Sequence, residues 1–65
     1  MDQNNNPETF AFVATFYSHN KRWFISSNNS MVYLHRQARA IWAASSMEEI
    51  ASILSGFQGF VETVE

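Results

Sequence analysis

The stretch from Thr9 to Tyr17 alternates with a period of two, and both of its faces are apolar. Phe10, Phe12, Ala14 and Phe16 fall on one side, and Ala11, Val13, Thr15 and Tyr17 on the other. A strand covered on one side only should carry polar residues on its other face. This strand is therefore either central and covered on both sides, or it keeps one face for a partner. Sixty-five residues make one domain at most, and a chain of that size buries only about 60% of the surface its unfolded form exposes. There is no cysteine to staple it and no thiolate to hold a metal. Ten aromatic residues remain as the source of a core or of self-association.

Punctuation residues divide the rest of the chain. Residues 1–7, Asn-rich and ending in Pro7, read as a disordered lead-in to a single domain over 8–65. Ser18-His19-Asn20-Lys21 reads as a hairpin turn, with Asn20 tolerating positive φ. Arg22 to Ser26 reads as a second strand, with Trp23 and Ile25 on one face. Ser27-Asn28-Asn29-Ser30 is the clearest turn, and Met31 to Arg36 reads as a third strand of an antiparallel meander. Residues 37–44 fit two descriptions. Ala38, Ala40, Ala43 and Ala44 favour helix by propensity, while the alternation of Ala38, Ala40 and Trp42 fits a strand, and the strand is preferred. A helix over about 46–56 is better marked. Ser46 and Glu49 have capping-box spacing, Glu48 and Glu49 suit the positive end of the dipole, Ile50, Ile53, Leu54 and Phe57 form a stripe, and Gly56 suits C′. The stripe of Ala38, Ile41 and Trp42 is rotated from that of Ile50, Ile53 and Leu54, which argues against one continuous helix over 37–55. Gly59 to Val64 reads as a last strand. The expected fold is α+β: a small antiparallel sheet of three to four strands, packed on one face by a single helix.

Charge is segregated. Between Glu8 and Glu48 there is no acidic residue, and all four basic residues, Lys21, Arg22, Arg36 and Arg39, fall inside that window with His19 and His35. The chain is acidic overall, at a formal net charge of −2, yet its middle is basic and aromatic. Lys21, Arg22, Trp23, Tyr33, Arg36 and Arg39 are the candidate partner-binding residues, since tryptophan, tyrosine and arginine dominate binding hot spots. In a meander the 19–22 turn and the 35–39 segment share one end of the sheet, so these residues form one basic corner. The bland alternative is solvated charge guarding a sheet edge. Most of Phe10, Phe12, Phe16, Phe24, Trp42, Phe57 and Phe60 are expected in the core. One helix covers one face of a sheet, so Ala11, Val13 and Tyr17, or the residues opposite them, are expected at the surface.

Catalysis is not expected. No Gly-x-Ser-x-Gly elbow or Gly-rich phosphate loop occurs, and neither histidine has an acid nearby in sequence. Glu48 and Glu49 are adjacent, point apart on a helix and serve as caps. No cofactor and no metal site is expected. The expected partner is a protein with an acidic surface, with a second copy of the chain as a further candidate. Nucleic acid comes behind these, because strong binders neutralise about six or more phosphates and this chain carries four bases. No apolar run is long enough for a membrane span and no targeting segment is visible, so a cytoplasmic protein is expected.

The stretch Ile41-Trp42-Ala43-Ala44-Ser45-Ser46-Met47-Glu48-Glu49-Ile50-Ala51, followed by Gly59-Phe60 and a β-like tail, resembles a known layout. It is similar to the strand, capped helix, Gly-Phe and strand of the small inhibitor of bacterial RNA polymerase found in T7-like bacteriophages. The resemblance implies a small α+β fold with a three-stranded antiparallel sheet and one helix. It also implies a protein that acts by occupying a surface on a host machine. That inhibitor carries arginines in its last strand, whereas this chain ends Thr63-Val64-Glu65. No binding residue is therefore carried over.

Overall fold

A computed structural model describes residues 10–65. The lead-in expected over residues 1–7 lies outside the described residues. The elements are strand β1 (Phe12–Ser18), strand β2 (Lys21–Ser27), helix α1 (Met31–Ala43), helix α2 (Met47–Ser55) and strand β3 (Phe60–Val64). The sheet is antiparallel with the order β1-β2-β3. The α+β class, the three-stranded sheet, the first hairpin, the capped helix near 46–56 and the last strand follow the sequence expectation.

The β1–β2 hairpin closes on two residues. His19 (φ 58°) and Asn20 (φ 65°) both adopt positive φ, and Ser18 pairs with Lys21. Two positive-φ residues between paired ends make the type I′ geometry whose twist matches the strands. Asn20 tolerates this conformation well, and His19 is held in it by side-chain contacts described below.

The main correction concerns residues 31–44. Met31–Arg36 is not a third strand and 37–44 is not its continuation; together they form α1. The Ser27–Ser30 turn ends in a helix cap, with the Ser30 hydroxyl accepting from the Tyr33 N–H at 3.0 Å. On a helical wheel Leu34, Ala38 and Ile41 share one side, and Leu34 and Ile41 are fully buried. Six residues of apparent alternation cannot separate the two periods, and alanine propensity decides the second half. The place in the sheet expected for 31–36 belongs to β3, on the far side of β2. Among the described residues the fold therefore has two helices where one was expected, and the chain returns to the sheet through both rather than by a short turn.

The break between helices lies at the expected serines. Ser46 caps α2, accepting from the Glu49 N–H at 3.1 Å. The Glu49 carboxylate reaches back one residue further than in a standard capping box and accepts from the Ser45 N–H and hydroxyl, both at 3.0 Å. These two donors hold its pKa below the ordinary glutamate value, the backbone donor contributing most. Gly56 ends α2 at φ −104°, so its left-handed freedom is not used.

Both helices lie on one face of the sheet. Trp23, Ile41, Ala44 and Ile50 form the core cluster, joined by Phe16 from β1, Val61 from β3, and Ile53 and Leu54 from α2. Phe16 and Trp23 are direct cross-strand neighbours with parallel rings, centroids 6.0 Å apart. The Trp23 indole N–H donates to the Ser18 carbonyl at 2.8 Å, so this buried ring leaves no polar atom unpaired.

At the other end Ser27 is completely buried and ties three segments together. Its hydroxyl donates to the Gln58 carbonyl at 2.8 Å and accepts from the Asn29 N–H at 3.0 Å. Gly59, entering β3, runs so close to the Ser26 carbonyl that a Cβ would clash with it.

Candidate functional site

Two surfaces emerge from this layout, and neither is the single basic corner that a meander would have made. The first is the outer face of α1. Val32, His35, Arg36, Arg39 and Trp42 follow helical spacing and are all exposed. Val32, Arg36 and Arg39 lie across the helix from Leu34 and Ile41, the side that faces the sheet, while Trp42, one turn beyond Ala38, stands at the edge of that outer face. Trp42 leaves 63% of its surface exposed, one turn from Arg39. No acidic residue occurs anywhere on α1. The helix thus presents a tryptophan and two guanidinium groups with no carboxylate on the same helix to neutralise them.

The second surface is the sheet face that no helix among the described residues covers. β1 contributes Val13, Thr15 and Tyr17, β2 contributes Arg22, Phe24 and Ser26, and β3 contributes Phe60, Glu62 and Val64. The register puts Tyr17, Arg22 and Val64 in one row and Thr15, Phe24 and Glu62 in the next. Val13, Tyr17 and Val64 are each more than half exposed. The two-sided apolar first strand is thereby explained: among the described residues β1 is an edge strand, and its Val13–Tyr17 side is left open.

The six residues expected to bind a partner scatter. Arg36 and Arg39 belong to the α1 face. Arg22 projects from the open sheet face, on the other side of the sheet from α1. Lys21 lines a third place, an apolar cleft of about 340 Å³ between α2 and the β2–β3 side of the sheet. Trp23 is core, with 2% of its surface exposed, and cannot reach a partner. Tyr33 is half-buried and structural: its ring stacks on Phe57 at 5.8 Å, and its hydroxyl accepts from the Gln58 N–H at 2.7 Å.

Sequence reading missed Trp42, which was assigned to the core. Its signal was present in the wheel of residues 31–43, where Trp42 falls with His35 and Arg39 and away from Leu34 and Ile41. Read as a strand, the same segment places Trp42 with the alanines. Phe24 and Phe60, also expected in the core, lie half-buried on the open sheet face.

The one serine–histidine contact in the hairpin has the look of a catalytic pair but not the freedom of one. The Ser18 hydroxyl bonds His19 Nδ1, while His19 Nε2–H donates to the Ala44 carbonyl at 2.9 Å. Both ring nitrogens are occupied, and Ser18 is buried. The histidine instead caps the C-terminal end of α1, which has no basic residue in its own last turn. Among the described residues no group of three or more histidine or acidic side chains could hold a metal ion. No described helix is long and apolar enough to cross a membrane. Comparison with family models, characterised proteins and solved structures gave no match.

Proposed function

We propose that the chain is a small, non-enzymatic protein-binding module that docks the outer face of α1 onto an acidic surface of its partner. One observation carries the reading: Trp42, 63% exposed, stands on a helix with two exposed arginines and no acid. A large aromatic ring left in water is unusual unless something covers it. Tryptophan and arginine are also the side chains most often responsible for binding energy. The arginines steer an acidic partner and set the register of docking. In its most specific form this is an inhibitor encoded by a bacteriophage or mobile element, working in the host cytoplasm by covering a surface of a bacterial protein.

The test is retention from bacterial lysate on immobilised protein, quantified by mass spectrometry. Wild type and Ser52→Ala, on the exposed side of α2, should retain the same protein. Trp42→Ala and the double variant Arg36→Glu/Arg39→Glu should lose it. Retention of nothing, or retention indifferent to these α1 variants, overturns the proposal. Retention abolished by nuclease and falling steeply with salt would assign the helix to nucleic acid instead.

A further inference from the structure

The open face of the sheet carries an arrangement that the α1 reading does not use. Its nine side chains include one cation, Arg22, and one anion, Glu62, among Val13, Tyr17, Phe24, Phe60 and Val64. The two charges sit on neighbouring strands and in neighbouring rows, since Arg22 pairs with Val64 and Phe24 with Glu62. Such a face has no net charge to attract an acidic or a basic partner. It does match itself. A two-fold axis in the plane between two stacked sheets, running across the strands between the Arg22 and Glu62 rows, exchanges those rows. Arg22 of one copy then stands beside Glu62 of the second copy, and the contact occurs twice. The same operation lays Phe24 of each copy under the other's Arg22, an arrangement favourable to a guanidinium over a ring.

We infer that this face is a homodimer interface, formed by two copies stacking their uncovered sheets. The area sets its strength. That axis lays two of the three rows of each face over one another, about four residues at a rise of about 3.4 Å on three strands about 4.8 Å apart, a footprint of roughly 14 by 14 Å. That is small beside the roughly 800 Å² per partner of a standard interface, so the dimer is weak and exchanges with monomer. Its dissociation constant should fall between about 10 μM and about 1 mM.

The experiment is sedimentation of the full chain across that concentration range, with charge exchanges at both positions. Arg22→Glu alone and Glu62→Arg alone should each weaken association about tenfold or more, because each places like charges together. The double variant Arg22→Glu/Glu62→Arg should return to within about threefold of wild type. A mixture of the two single variants should form a heterodimer, since one then carries two anions and the other two cations. Both residues are exposed, so the fold is expected to survive, and circular dichroism checks that it does. Ser52→Glu, on the exposed side of α2 and away from the open sheet face, should leave association unchanged. A wild type that stays monomeric at about 1 mM overturns the inference, and so does association that single exchanges leave intact or that Ser52→Glu abolishes.

Discussion

Replacing each tryptophan by alanine in turn separates the two roles that the structure gives them. Trp23 buries essentially all of its surface and Trp42 roughly a third. With about 250 Å² for a tryptophan and about 25 cal/mol per Å², full burial corresponds to at most about 6 kcal/mol and one-third burial to about 2 kcal/mol. Trp23→Ala also strips the Ser18 carbonyl of its donor, and core tryptophan truncations typically cost about 3–5 kcal/mol. A chain of this length has a total stability of about 3–10 kcal/mol, so Trp23→Ala should be unfolded or close to it at room temperature. For Trp42→Ala the alanine keeps part of the contact and gains about 0.5 kcal/mol in helix propensity. Its net loss should be about 1 kcal/mol, a fall of about 4–8 °C in Tm. Thermal melts followed by far-UV circular dichroism measure both. Fluorescence gives an independent reading: Trp42→Phe should leave a blue-shifted, quencher-resistant emitter, and Trp23→Phe a red-shifted, readily quenched one. Equal losses of stability, or a Trp42→Ala variant that fails to fold, would refute the assignment of Trp23 to the core and Trp42 to the surface.

Gly59→Ala should destabilise by about 1–3 kcal/mol, because the added methyl meets the Ser26 carbonyl, a backbone atom that cannot turn aside; a melt within experimental error of wild type would rule the close approach out. Ser27→Ala should lose about 1–3 kcal/mol in chemical denaturation, since the Gln58 carbonyl and Asn29 N–H lose their shared buried partner, whereas Ser26→Ala on the open face should change little. Glu49, with its folded pKa lowered by the Ser45 donors, contributes stability that is present above the ordinary glutamate value and lost as pH falls through the lowered one. Melts of wild type and Glu49→Gln below about pH 4.5 should therefore converge with acidification, and parallel curves would contradict the cap.

Local chemistry wrote much of this fold plainly. The His19-Asn20 turn, the Ser46 cap with Glu49, the break between 44 and 46 and the Gly59-led strand each depend on side chains within a few residues of one another. Such short-range preferences operate in any compact context. Residues 31–36 were illegible for the opposite reason. Their apolar and polar positions satisfy a strand and a helix about equally over so short a run, and only the competition for the place beside β2 distinguishes them. β3 occupies that place, leaving 31–43 to cover the sheet as a helix. That one exchange moves Trp42 to the surface, keeps Trp23 in the core and puts Arg22 on the opposite side of the sheet from Arg36 and Arg39.

The sequence by itself determined that the first strand is apolar on both faces, and that the chain's cations lie within an acid-free middle. Both are properties of composition and short spacing, fixed before any long-range contact forms. Tertiary structure alone decided which side of the sheet stays open and which cations share a surface. Those outcomes depend on strand order and on which face the helices cover, and contacts between residues far apart in the chain set both.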